Sequence, residues 1–255
     1  MSKNILIGGG IALVLVIGVI GFIVFRPTAA PSGPMTAVPL TAPTAEPAAA
    51  TTEAVEPEDS AAPEQAEEPQ EAPAPVGDAA IFELVPEESE ARFLIDEVLR
   101  GDPITVVGVT SLVVGQIAVD AENPSASQVG IIQINARDLT TDNEFRNRAI
   151  RNNILETDRY ELISFAPSAI SGMPDQVAVG DSFDFMLDGE LTIRDVTLPV
   201  SFAVTVTATS ERELRGLATT SVLYRDFELR IPEVPSVDLV EDEVRLELEF
   251  VARSL

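Results

Sequence analysis

Residues from about 79 to the C-terminus alternate between apolar and polar positions, which is typical of antiparallel strands with one face in water. The alternation is strictest over 243–250, where Val244, Leu246, Leu248 and Phe250 share one face. Strands do not alternate regularly with helices, so a parallel sheet is not expected. About eight strands in a domain of this length predict a sandwich or an up-and-down barrel.

The apolar face of these strands predicts an interior. Periodicity alone leaves two interpretations open, the wall of an apolar tunnel and an ordinary filled core, because a small eight-stranded barrel can be filled by its own side chains. The predicted inward-facing residues are Ile132, Ile134, Ile163, Phe165, Phe185, Leu187, Leu191, Phe202, Val204, Val206, Leu246, Leu248 and Phe250.

Leu112–Asp120 is one of the further candidate strands, and one other segment departs from the alternation. Thr141–Asn152 is the one predicted helix, because Thr141 and Glu144 have the spacing of a capping box. Arg148 follows Glu144 at i,i+4, which adds slight support.

The N-terminus predicts a membrane anchor. After the short segment 1–4, the 21 residues Ile5–Phe25 contain no charge, and about 20 apolar residues span a bilayer as a helix. Lys3 precedes this stretch and Arg26 follows it, and from Pro27 to Ala91 there is no cation. The positive-inside rule then favours a cytoplasmic N-terminus and an extracytoplasmic C-terminal domain. Cleavage after a signal-like sequence is the alternative.

Residues 26–78 form a predicted disordered linker. They contain eleven of the nineteen prolines and no aromatic residue. Such a composition, without apolar periodicity, does not bury enough surface to offset the entropy of ordering. The linker is either a tether that lifts the domain off the membrane or a spacer without a length requirement. The folded domain is then 79–255.

Composition excludes several classes of function. The formal charge is −26, and there is no His, no Cys and no Trp. A strong polyanion is a poor partner for nucleic acid. Without His and Cys there are no disulfides, no zinc–thiolate sites and no Ser-His-Asp or Cys-His nucleophiles. We therefore expect no enzyme activity, no cofactor and no metal site.

Three stretches and the opening hairpin carry a family resemblance. They are TTDNEFRNRAIRNNILET with RYELISFAPSAI (140–170), DGELTIRDVTLPVSF (188–202), RDFELRIPEVPSVDLVEDEVRLELEF (225–250) and FELVPEESEARFLIDE (82–97). In this order they resemble the YceI-like family of lipid- or polyisoprenoid-binding domains. The resemblance implies an antiparallel, eight-stranded, lipocalin-like β-barrel with one short helix, holding a long apolar chain such as an isoprenoid or isoprenoid quinone in its lumen.

The sequence departs from the family pattern at several positions. The family's Tyr-Pro is Tyr160-Glu161 here, and its Asp-Phe-Gly is Asp226-Phe227-Glu228. The loss of the glycine indicates an altered turn. The family's Arg-Asp is Arg146-Asn147 here, and the His often found in the helix region is absent. The losses of Asp and His put a family-like head-group contact in question more than the barrel itself. The head-group candidates are Asn143, Arg146 and Asn147.

The head-group candidates lie among clustered arginines. Arg137, Arg146, Arg148, Arg151 and Arg159 form a local inversion in an acidic domain, and a guanidinium fits a polar or phosphorylated group. The alternative is a solvated helix whose arginines pair with neighbouring acids.

Together these observations predict a membrane-tethered, extracytoplasmic protein that binds a long-chain apolar lipid. The alternative is a structural or adhesive cell-envelope domain with a filled barrel and no ligand.

Overall fold

The computed structural model describes residues 32–40, 79–235 and 237–255. Twelve strands form one antiparallel sheet. The strands are β1 (Ala80–Leu84), β2 (Glu90–Leu99), β3 (Asp102–Thr110), β4 (Val113–Val114), β5 (Gln116–Val119), β6 (Gln128–Val129), β7 (Ile132–Asn135), β8 (Leu162–Ser171), β9 (Ser182–Ile193), β10 (Val196–Ser210), β11 (Glu213–Leu223) and β12 (Val237–Ser254).

The sheet is curled, and its longest strand, β12, has two successive neighbours along one edge. The strand order is β4-β7-β8-β9-β10-β11-β12-β1-β5-β6, and β2 adds to β12 and carries β3. β12 pairs with β11 along one edge, and its other edge pairs with β2 and then with β1. β4 and β5 are separated only by Gly115, so the chain itself joins one end of the path to the next-to-last strand at the other end.

The prediction of about eight strands is wrong in number, and the N-terminal half of the domain explains the difference. Leu112–Asp120 was predicted as one strand, but it divides at Gly115 because it changes partner there. β4 pairs with β7, and β5 pairs with β1. At the division, Leu84 N donates to the Gly115 carbonyl at 3.0 Å. The two-residue β6 has too few positions to show a period.

The predicted helix is shorter than expected and its cap differs. Helix α1 spans Glu144–Ala149 and continues as a π-helical turn over Ile150–Ile154. The cap is Asn143, whose Oδ1 accepts from the backbone N–H groups of Phe145 and Arg146 at 2.9 and 3.2 Å. The capping box predicted from Thr141 is therefore wrong.

The two faces of the sheet differ in chemistry as the alternation predicts. One cluster of buried apolar residues lines the inner face. On the outer face, Asp184 accepts from the Thr205 hydroxyl at 2.5 Å, and Asp188 accepts from Ser201. These carboxylates point away from the core.

Residues 32–40, here called the docked segment, lie against the sheet. Ala37 is buried, and Leu40 N donates to Gln116 Oε1 at 3.0 Å. The Leu40 side chain also lies against Gly130, since a Cβ at that glycine would be 3.1 Å from Leu40 Cγ. These nine residues belong to the predicted disordered linker 26–78, and their few apolar side chains find partners on the domain. The rest of 26–78 lies outside the described residues.

Within residues 32–40, 79–235 and 237–255, no helix combines the length and the hydropathy needed to cross a membrane. The stretch for which a membrane helix was predicted, Ile5–Phe25, lies outside the described residues.

Candidate binding cavity

The inner face of the sheet borders two apolar cavities that adjoin each other. Chamber 1 has a volume of about 270 Å³ and chamber 2 a volume of about 240 Å³. Ile132, Ala218 and Leu248 line both. The curled sheet therefore encloses one lumen with two compartments.

Chamber 1 lies at the end of the lumen where loops 120–127 and 172–181 meet. Met173 and Val179 from the second loop line it, and Val179 is 56% exposed. The polar residues on its border are Asp120, Ser127, Ser210 and Glu211. Among the described residues that line chamber 1 there is no Lys or Arg.

Chamber 2 lies at the opposite end, under the connections that carry α1 and residues 224–235. Ile150 and Ile154 of the π-helical turn contribute to its lining, and Phe227, only 1% exposed, also lines it. Phe165 and Phe202 meet edge to face in its wall, with ring centroids 4.9 Å apart. This end is packed with large buried side chains.

All thirteen residues predicted to face inward are among those that line the chambers. Their contact with a ligand stays a prediction. Phe185, Leu187, Val204, Val206 and Phe250 line chamber 1, Ile134, Ile163, Phe165, Leu191, Phe202 and Leu246 line chamber 2, and Ile132 and Leu248 line both.

Glycines on neighbouring strands leave room for three aromatic rings of the wall. A Cβ at Gly108 would lie 2.1 Å from the ring of Phe93, and a Cβ at Gly216 would lie 2.4 Å from the ring of Phe250. Each of these pairs is directly opposite in the strand register. The third ring, that of Phe165, approaches Gly189 in the same way. The rings lie against the wall, which keeps the lumen from filling.

One ion pair lines the interior of chamber 2. Glu97 follows Ala91, Phe93 and Ile95 on the inner face of β2, and its side chain is only 8% exposed. Arg146 Nη2 lies 3.1 Å from Glu97 Oε1. Sequence reasoning missed Glu97, although the inward period of β2 was a signal that could have identified it.

A second ion pair borders the same chamber from outside. Arg92 and Glu247 alternate with inward residues of β2 and β12, and they pair across the outer face at 3.2 Å. Arg92 also contacts Glu90 and Glu249 there. The interior charges of chamber 2 are therefore those of Glu97 and Arg146.

The head-group candidates have different environments. Asn147 is 1% exposed, and its Oδ1 accepts from both the backbone N–H and the hydroxyl of Thr141 at 2.7 Å. Its Nδ2 donates to the Thr141 carbonyl and to Glu144 Oε1, each at 3.3 Å. The oxygen of Asn143 is used in capping α1. Only Arg146 lines a chamber. A ligand role for both asparagines stays a prediction, and these bonds count against it.

The remaining titratable group in chamber 2 is a phenol. Burial raises the pKa of Tyr224 above its usual value, so its hydroxyl is neutral at pH 7. Within the part of the chain that the structure describes, no three acidic, His or Cys side chains are grouped as a metal site. The chamber thus combines apolar walls, one phenol and one compensated ion pair.

These features define a class, an antiparallel β protein whose single sheet curls around an apolar lumen. The chain belongs to the YceI-like family, because the family model described as YceI-like domain matches residues 82–252, more than half of the chain. A search of curated proteins found no match.

Solved structures show the same fold at low sequence identity. One is a polyisoprenoid binding domain from Saccharophagus degradans implicated in plant cell wall breakdown, with 14% identity, 69% of this chain and 99% of that chain covered, and a TM-score of 0.56. Another is BcnA of Burkholderia cenocepacia, with 17% identity, coverages of 66% and 98%, and a TM-score of 0.54.

Proposed function

We propose that this protein binds a long-chain apolar lipid, such as an isoprenoid or isoprenoid quinone, in the lumen formed by chambers 1 and 2. The observation that carries the proposal is the pair of adjoining cavities with almost wholly apolar lining. Burial of a chain contributes about 0.8 kcal/mol per CH₂ before entropic costs. Affinity for such a ligand therefore needs few polar contacts and no reacting group.

Two further observations support a ligand in preference to a filled core. The rings of Phe93, Phe165 and Phe250 lie over glycines and so stay out of the lumen. One structure with this fold is described as a polyisoprenoid binding domain. We accordingly interpret the curled sheet as a lipocalin-like barrel, in which β4 and β5 are one strand bent at Gly115.

The proposed location is the outer side of the cytoplasmic membrane. The support is the uncharged stretch Ile5–Phe25, with Lys3 before it and a cation-free region after Arg26. Protease added to intact spheroplasts should then release a fragment that begins within residues 27–80. Protection of the whole chain until lysis would contradict this orientation.

The test of lipid binding fills space in the lumen. Val204 is buried in chamber 1, and Val204→Trp adds bulk without charge. If the lumen holds a ligand, the variant loses co-purifying lipid in native mass spectrometry, while the melting temperature stays within a few degrees. Ala203→Trp is the matched control, since Ala203 is the exposed neighbour on the same strand.

The opposite outcome defines the competing function. A packed core would be overfilled by the same Trp, at a cost of about 1–3 kcal/mol. A wild-type protein without extractable lipid, together with strong destabilisation by Val204→Trp, would establish a structural envelope domain instead.

A further inference from the structure

We propose that the ligand is an uncharged lipid, and that its polar end, a hydroxyl or a carbonyl oxygen, lies at Glu97 and Arg146 in chamber 2. This inference rests on the proposed function. It specifies which of the long-chain lipids suits this lumen and excludes their phosphorylated and carboxylated forms.

The guanidinium of Arg146 already has two carboxylate partners. Its Nη2 lies 3.1 Å from Glu97 Oε1, and its Nη1 lies 2.5 Å from Asp142 Oδ1. Two carboxylates therefore share one guanidinium. The guanidinium charge is therefore already compensated, and an anionic head group at its remaining N–H groups would lie beside the buried Glu97 carboxylate without a further cation, which is strongly unfavourable.

The hydrogen-bonding groups of Glu97 and Arg146 are complementary to a neutral polar group. A carboxylate accepts only, and a guanidinium donates only. The Glu97 oxygens therefore suit a ligand hydroxyl, and the remaining N–H groups of Arg146 suit a ligand carbonyl or hydroxyl oxygen. A neutral polar group is recognised without disrupting the ion pair.

The chamber 1 end of the lumen also disfavours an anionic head group. Asp120 and Glu211 border chamber 1, and no cation is among the described residues around it. An anionic head group placed there would meet carboxylates without a compensating charge. Like charges brought together at a binding site are disfavoured, so both ends of the lumen reject an anion.

The test is a competition between two lipids that share one chain. The full chain, purified in mild detergent, is incubated with equal concentrations of geranylgeraniol and geranylgeranyl diphosphate, and the bound species are counted by native mass spectrometry. We expect the alcohol to exceed the diphosphate by about tenfold or more.

A variant then tests the assigned carboxylate. Glu97→Gln keeps the size of the side chain but frees Arg146 from its inner partner. The ratio of bound diphosphate to bound alcohol should rise about tenfold. Glu247→Gln is the matched control, because it removes a carboxylate of the same wall that faces outward, and it should leave the ratio unchanged.

The outcomes separate this inference from the proposed function. Equal or preferred binding of the diphosphate by the unmodified chain would overturn the uncharged-ligand inference and leave lipid binding intact. Binding of neither lipid, with no co-purifying lipid, would overturn the proposed function itself. The competition on the unmodified chain decides between these outcomes even if Glu97→Gln fails to fold.

Discussion

The two ends of the lumen are built from different kinds of interaction. The chamber 2 end is held by buried groups, among them Phe227, Asn147 and the Glu97–Arg146 pair. The chamber 1 end is bordered by loops with exposed apolar residues such as Val179, and exposed ion pairs lie near it. Buried packing and fully paired polar groups resist opening, whereas exposed loops open at little free-energy cost.

This difference suggests separate roles for the ends. A long ligand needs one end that opens and one that positions its terminus. The exposed loop 172–181 suits entry, and the compensated ion pair of chamber 2 suits the final position of a polar end. Variants at the two ends test the contrast in stability on which this division depends.

The largest expected effect is a difference between the two ends in how much stability their packing contributes. Phe227→Ala should lower the free energy of unfolding by about 3–5 kcal/mol, because a fully buried ring is lost. Val179→Ala, at the exposed loop, should change it by no more than about 0.5 kcal/mol. Urea unfolding measures both variants. Equal losses would show that the two ends are packed alike.

The next effect concerns the polar network at the chamber 2 end. Asn147→Ala should cost about 1–3 kcal/mol, because the backbone N–H of Thr141 loses its buried acceptor. Asn143→Ala removes only the cap of α1 and should cost about 1 kcal/mol.

Lipid occupancy, measured on the folded fraction of both variants, distinguishes structure from recognition. It should match that of the unmodified protein, because neither asparagine lines a chamber. A loss of lipid by Asn147→Ala without a loss of stability would instead give Asn147 a ligand contact.

The smallest effect is a pH dependence near the chamber 1 end. Arg253 holds both oxygens of Glu88 at 2.6 and 2.8 Å, and this bond lowers the pKa of Glu88 below its usual value. A carboxyl with a lowered folded pKa stabilises the fold above its unfolded pKa of 4.5 and loses that contribution as the pH falls through the folded pKa.

Melting temperatures of the protein and of Glu88→Gln, measured from pH 7 to pH 3, test this dependence. The variant should be slightly less stable at pH 7, and the difference should vanish at the acid end. The effect is small because the pair is exposed to solvent. A difference that persists at pH 3 would mean that the charge of Glu88 is not the cause.

Strand periodicity predicted the inner wall well, since every one of the thirteen predicted inward positions lies there. A period of two is imposed by the backbone itself and survives low sequence identity. The break at Gly115 was not predictable in this way, because a strand that changes partner keeps the same alternation. The same pattern also says nothing about whether the lumen is open. That depends on pairs such as Phe93 and Gly108, which are distant in sequence.

The polar part of the candidate site was harder to predict. Arg146 and its proposed companions Asn143 and Asn147 were all chosen from one short stretch of sequence. The structure places Glu97, 49 residues away in the chain, at the Arg146 guanidinium instead. Ion-pair partners across a sheet are fixed by register and by the path of the connections, neither of which a single sequence displays.

The docked segment shortens the stretch of chain that would connect the domain to a membrane anchor. Residues 41–78 join two points that both rest on the domain, Leu40 beside Gln116 and Ala79 before β1, so they do not add to the distance between the domain and its anchor. If Ile5–Phe25 spans the membrane, the connection between membrane and domain is residues 26–31, whose full extension is about 20 Å. Ser32 lies beside Glu161 and lowers the pKa of that carboxyl group. Glu161 directly precedes the first residue of β8. Such a short connection would hold the domain with its chamber 2 end facing the bilayer and the loop 172–181 on the opposite side.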